Sequence, residues 1–228
     1  MSDKIDIVEK DPVLVLQSFW QKSGKTIGIV VSLIIVLVGG WYAYTQYIIK
    51  PNEEKAADLM YKAQAYFAVD SSKLVLDGDG TNKGVLYIIK NYSGTKEANL
   101  AKYYAGISYL KMGNFNKAIE YLKDFSTNAK QIQMVAYGSL GDAYSELNKK
   151  DDAIEFYKKA GSTFIEDENT SAEYLFRAAL LSETSGKTKE AVALYQEIKD
   201  KFPKTDKGFQ ADKYIYRLSL QKTDLSTN

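Results

Sequence analysis

Apolar residues follow two unlike patterns along this chain. Over residues 27–49 they are almost continuous, IGIVVSLIIVLVGGWYAYTQYII, with no charge and with Ser32, Thr45 and Gln46 as the polar members. From Lys50 onward they recur at helical spacing among charged residues. The first pattern predicts a membrane-spanning helix. Its 23 residues make roughly 34 Å of helix, enough to cross a hydrocarbon core of about 30 Å. Trp41, Tyr42, Tyr44 and Tyr47 gather at its C-terminal end as an interfacial aromatic belt. A cleavable signal peptide is the rival reading. The run exceeds a signal h-region of ~7–15 residues, a long polar leader precedes it, and no Ala-x-Ala-like site follows. The expectation is an uncleaved signal anchor.

Ahead of the run, Asp11 and Pro12 have the chemistry of an N-cap and a first helical residue. Val13, Leu16, Phe19 and Trp20 then form an apolar stripe that ends at Lys22 and Lys25. This leader helix is expected to lie on the membrane surface in preference to packing against another membrane protein. Phe19, Trp20, Trp41 and Tyr42 are the side chains expected to meet lipid or a membrane partner. Lysines flank the run on both sides, so charge alone does not orient it.

The second pattern repeats at a period near 34 residues. Gly106-x-x-Tyr109, Gly113-Asn114-Phe115 and Ala118-Ile119-Glu120-Tyr121-Leu122 form one unit. Leu140-Gly141-Asp142-Ala143-Tyr144 and Asp152-Ala153-Ile154-Glu155-Phe156-Tyr157 form the next. Ala178-Ala179, Gly186, Ala191-Val192-Ala193-Leu194-Tyr195 and Phe202-Pro203 form a looser third. This resembles the tetratricopeptide pattern of paired helices, A then B. Small residues at Gly106, Gly141, Ala179, Ala118, Ala153 and Ala191 let the two helices cross closely, and Tyr109, Tyr144, Leu122, Tyr157 and Tyr195 fill the space between them. Turns are expected at Met112-Gly113-Asn114, Asn148-Lys149-Lys150 and Ser185-Gly186-Lys187, with Pro203 as a breaker. A degenerate unit precedes these, with helices over 53–69 and 83–91 around the long turn Asp77-Gly78-Asp79-Gly80-Thr81-Asn82. A final amphipathic helix with Ala211, Tyr214, Ile215 and Leu218 on one face caps the solenoid. The predicted fold is therefore all-α: leader 1–26, transmembrane helix 27–49, and an α-solenoid over 50–228. Its repeats lie near 53–96, 99–132, 134–167 and 172–205, with a cap over 206–221.

Composition narrows the chemistry. Thirty basic and 29 acidic side chains nearly cancel, which leaves no field to attract nucleic acid. Cys and His are both absent, which removes disulfides, thiol catalysis, Cys-ligated zinc and the commonest general base. No catalytic residue, cofactor or metal site is expected. Asp77-x-Asp79-x-Thr81 starts like a calcium loop, but Asn82 and Ile88 stand where Gly and a bidentate Glu are needed. A solvated turn is expected there. The acids Asp151-Asp152 and Glu166-Asp167-Glu168 sit where helix starts favour them.

Solenoids of this pattern bind through the concave face lined by the A helices. That geometry nominates Leu100, Tyr103, Ile107 and Leu110 from the first unit, Asp142 and Glu146 from the second, and Phe176 and Leu180 from the third. Apolar ends with acids between them suit extended or helical polypeptide segments. Ile107 and Leu110 equally suit packing against the next helix.

The architecture from about residue 18 onward, with the segment NYSGTKEANLAKYYAG over 91–106, resembles the YfgM-like family, ancillary subunits of the bacterial Sec translocon. The resemblance implies a single-pass protein of the bacterial inner membrane, with a cytoplasmic N-terminus and a periplasmic repeat domain. It also implies partners, namely the Sec channel and a periplasmic folding factor such as a membrane-anchored peptidyl-prolyl isomerase, and a non-enzymatic role assisting secreted chains. The alternative is a scaffold of another envelope complex, for division, secretion or outer-membrane assembly. An enzyme would have to rest on Asp, Glu, Lys, Tyr or Ser alone.

Overall fold

The computed structural model describes the backbone of residues 12–225 and the side chains of 20–220. Every regular element among them is helical; the one β-bridge joins Gly78 to Lys83. The chain divides into two units, one ending at Pro51 and the other beginning at Asn52.

The first unit is built on α1 (Pro12–Tyr44), followed by a π-helical turn, Thr45–Ile49. The leader does not form a helix of its own: α1 runs from the leader through the apolar run without interruption. This corrects the expectation of a separate surface-lying helix ending near Lys25. Between Trp20 and Ile27 the strongest breaker is Gly24, and one glycine costs a helix only about 1 kcal/mol relative to alanine. Asp11 and the side chains of Val13, Leu16 and Phe19 lie outside the described residues. The π turn has a local cause in Pro51. A proline lacks the N–H and crowds the carbonyl four residues back, here that of Tyr47. The helix widens instead, and the Lys50 N–H reaches the Thr45 carbonyl. Polar side chains in the apolar run bond within their own helix: Ser32 Oγ donates to Gly28 O at 2.8 Å, Thr45 Oγ1 to Trp41 O at 2.8 Å and Gln46 Nε2 to the Tyr42 hydroxyl at 3.2 Å.

The second unit opens with α2 (Lys50–Ala68) from Asn52 onward, then α3 (Ser72–Asp77) and α4 (Val85–Asn91). Three helix pairs follow: α5 (Lys96–Lys111) with α6 (Phe115–Lys123), α7 (Lys130–Glu146) with α8 (Lys150–Thr163), and α9 (Glu168–Thr184) with α10 (Thr188–Lys201). The last helix, α11 (Asp206–Leu225), covers the end with Ala211 and Leu218 buried. The opening unit thus has three helices where two were expected. Its Asp-Gly turn is tied down: Asp79 accepts from the Thr81 and Asn82 amides at 2.9 and 2.6 Å and from the Tyr66 hydroxyl at 2.6 Å. The Tyr66 hydrogen bond and those from Asn82 hold the Asp79 carboxyl well below its ordinary range. Glu53 on α2 accepts from the Lys96 N–H with both oxygens, so it caps α5 from 43 residues away.

Each pair turns by the same device. Gly113, Asn148 and Gly186 follow their A helices at φ 73°, 56° and 76°. The next amide then reaches back to close the helix: Asn114 N to Tyr109 O, Lys149 N to Tyr144 O and Lys187 N to Ser182 O, at 2.8–2.9 Å. Close crossing accounts for the glycines within the A helices. A Cβ on Gly106 would lie 2.4 Å from Leu122 Cγ, and one on Gly141 would lie 2.5 Å from the Tyr157 ring. Helix α5 serves two cores. Ala98, Ala101, Ala105 and Tyr109 pack with the opening helices, whereas Ile107 packs with Leu140, Tyr144 and the later pairs.

Candidate functional site

The A helices meet at an open cleft of about 520 Å³, formed by the α5–α6 turn, α7, α8 and α9. Leu110 and Phe115 supply apolar surface, and Asp142, Glu146, Tyr157 and Arg177 supply the polar wall. Asp142 Oδ1 accepts from the Tyr157 hydroxyl at 2.7 Å and from Arg177 Nη1 at 3.1 Å. Arg177 Nε donates to Glu173 at 3.0 Å, and Lys207 completes the chain against Glu173 at 3.3 Å. Three consecutive A-type helices are thereby linked, α7 to α9 to α11.

These charges answer one another. Burial pushes the Tyr157 hydroxyl up, and its hydrogen bond to Asp142 adds to the shift, so it keeps its proton at neutral pH. Burial works to raise Glu173, but the Arg177 and Lys207 hydrogen bonds prevail and hold it below its ordinary range. Lys111 at the rim pairs with Asp70 and lies over the Phe67 ring at 4.9 Å. Glu146 is exposed and has no ion-pair partner among the described residues. The cleft therefore offers an apolar floor beside one uncompensated carboxylate. Such a surface accommodates a polypeptide with a cationic side chain next to an apolar one.

The eight groove residues read from the repeat do not form one surface. Leu110, Asp142 and Glu146 converge on the cleft. Leu100 lines a separate depression of about 620 Å³ with Phe125, Thr127 and Ile132. Tyr103 is half-buried between Tyr104 and Phe125, at ring distances of 5.6 and 5.3 Å. Ile107 takes the packing alternative, and Phe176 needs correction. Ile107, 8 % exposed, is core between the first and second pairs. Phe176, 7 % exposed, packs edge-on against Tyr195 and Tyr214 beneath α11, at 5.6 and 5.0 Å. Leu180 is exposed. Tyr157, Arg177 and Phe115 belong to the cleft and were missed; the Glu173–Arg177 spacing of four on α9 was the available signal. In the first unit Trp20, Trp41 and Tyr42 are all exposed on α1.

Residues 17–164 match the model of the tetratricopeptide repeat-like domain, and residues 173–205 match a tetratricopeptide repeat. The chain belongs to the tetratricopeptide repeat-like family. The TPR repeat-containing protein MJ0940 of Methanocaldococcus jannaschii is 30 % identical over 127 residues, which is 56 % of this chain and 36 % of that protein. The chain thus spans about a third of that curated relative's length. Membership makes the second unit a protein–protein interaction module. Among the described residues, α1 is long and apolar enough to cross a membrane.

Proposed function

We propose that this protein is a membrane-anchored adaptor that acts by binding and not by catalysis. Helix α1 crosses the bacterial inner membrane once, with the N-terminus in the cytoplasm and the repeat domain in the periplasm. The cleft at Leu110, Phe115 and Glu146 receives a segment of another polypeptide. Its place is beside the Sec channel, where it assists secreted chains together with a membrane-anchored peptidyl-prolyl isomerase. The observation that carries the anchor is the bare apolar surface of α1: Leu37 is 71 % exposed and its neighbours from Ile29 to Val38 are exposed too, a continuous run of bare side chains along one helix. The family match supports it, since residues 17–164 take in both the apolar run and the first two pairs.

The test is gentle-detergent isolation of the tagged chain from its native membranes, with mass spectrometry of what accompanies it. A Leu110→Ala, Glu146→Lys variant runs alongside; Glu146 is exposed and Leu110 partly so, and a denaturant melt of the variant checks that the fold is retained. Recovery of the Sec channel, with periplasmic partners lost in the variant, is the expected result. Recovery of a different envelope complex retires the Sec assignment, and partners unaffected by the variant retire the cleft.

A further inference from the structure

The cleft at Leu110 and the depression at Leu100 lie toward opposite ends of α5, and tyrosine rings floor the ground between them. Tyr103 and Gly138 are 35 residues apart, the same place in successive A helices. Where α7 has glycine, the Tyr174 ring of α9 lies across it: a Cβ on Gly138 would stand 2.4 Å from the Tyr174 hydroxyl. Burial pushes the Tyr103 hydroxyl up, and Tyr104 and Tyr174 add to the shift, which sets the Tyr103 and Tyr174 phenols near each other. Ring contacts extend this floor both ways. Tyr103 meets Phe125 of the depression at 5.3 Å, and Tyr174 stacks on Tyr157 of the cleft at 6.4 Å with Arg177 over it at 5.7 Å.

The floor is apolar in body and polar at two points. Neither the Tyr103 nor the Tyr174 hydroxyl has a hydrogen-bond partner among the described residues, and neither is sealed from solvent. Burial raises both phenols, so each keeps its proton and can donate one hydrogen bond while accepting another. Backbone N–H and C=O groups match that chemistry. An extended chain presents them outward, whereas a helix uses them internally.

Spacing points the same way. Leu100 and Leu110 stand ten residues apart on α5, about 15 Å along the helix. Four residues of extended chain cover about 13 Å and five about 17 Å, and four bring both side chains to one face. Glu146, without an ion-pair partner, marks the cleft end for a cation. We propose that the cleft and the depression are the two ends of one site for an extended, unfolded polypeptide segment. One apolar side chain enters each hollow, four residues apart, a basic residue beside the cleft anchor meets Glu146, and the backbone between them bonds to the Tyr103 and Tyr174 hydroxyls. The inference rests on the adaptor reading and specifies its client as chain that has not yet folded.

The test titrates full-length protein in phosphatidylcholine nanodiscs into fluorescent, end-capped serine peptides carrying two leucines and one lysine, read by anisotropy. The peptide with its leucines four apart and the lysine next to one of them is expected to bind roughly tenfold tighter than peptides with leucines three or five apart. It is expected to exceed by as much a stapled helical peptide with its leucines ten apart. Tyr103→Phe and Tyr174→Phe keep the rings and remove the hydroxyls, so each is expected to weaken the peptide about fivefold with the denaturant melt unmoved. Ile132→Ser, at a half-exposed wall of the depression, is expected to erase the advantage of the second leucine. The Leu110→Ala, Glu146→Lys variant reads the cleft by itself. Binding that is lost in that variant but ignores leucine spacing and both hydroxyls, or that favours the stapled helix, overturns this inference and leaves the adaptor cleft standing. Binding of none of the peptides overturns both.

Discussion

Two pairs of helical glycines set the molecule's two units against each other. At Gly39 and Gly40 in α1, an added Cβ meets nothing within 4 Å. At Gly138 and Gly141 in α7 it would lie 2.2 Å from the Tyr174 ring and 2.5 Å from the Tyr157 ring. The aromatics divide in the same way. Trp41 and Tyr47 stand bare on the first unit, while Tyr195 is fully buried in the second. Residue type alone therefore says little about role. In the repeats, small and large residues are matched across helix crossings and exclude water together. In α1 the apolar side chains from Ile29 to Val38 are exposed, the pattern a lipid-facing helix requires.

Truncation separates the units most strongly. Tyr195→Ala removes a ring stacked on Tyr214 and set edge-on to Phe176, and is expected to cost about 3–5 kcal/mol of repeat-domain stability in denaturant melts. Phe176→Ala, in the same cluster, belongs in this class too, so binding lost in that variant would report unfolding. Val36→Ala in α1 is expected to leave the same transition unmoved. Gly141→Ala is next. The Tyr157 ring must shift, at a cost of roughly 1–3 kcal/mol, whereas Gly40→Ala changes nothing in the same melt. Equal effects at the two glycines would break the comparison.

Alkaline pH sharpens it. Burial pushes the Tyr157 and Tyr195 hydroxyls up, with Asp142 and Glu183 adding to the shift. In the unfolded chain both ionise near pH 10. Their contribution to stability is full below that pH and declines as pH rises beyond it, toward their folded-state values. Absorbance at the phenolate band, followed beside the melting temperature, is expected to show a fraction of tyrosines ionising only as the repeats unfold. Their ionisation in a still-folded domain would contradict the packing described. The smallest effect is at Asn148, the non-glycine member of the three repeat turns at φ 56°. Asn148→Gly is expected to raise stability by ~0.5 kcal/mol at most.

Much of this was legible in the residues. The apolar run, the small residues at helix crossings, the Gly or Asn ending each A helix and the buried face of the cap are local patterns, and each governs a local geometry. Helix α3 was not visible because its six residues, SKLVLD, are too short to establish a period. Periodicity finds the faces of a helix but not which neighbour covers each one. That is why Phe176 was placed in a groove when α11 covers it, and why Ile107 was left between groove and core when α7 covers it. Arg177 escaped notice because its partner Asp142 lies 35 residues away on the preceding pair. The continuity of α1 was obscured by the change from polar to apolar side chains, which alters what surrounds a helix without interrupting it.

The central claim is that lipid covers what the protein leaves bare in α1. It is tested most directly by cysteine labelling of the full chain in its native membranes with a membrane-impermeant maleimide. Leu37→Cys and Leu180→Cys place thiols at two positions exposed in the structure, one on each unit. The account predicts that the thiol at 180 reacts once the periplasmic side is open to the reagent, while the thiol at 37 stays unlabelled until detergent is added. Equal labelling of both in intact membranes would contradict it.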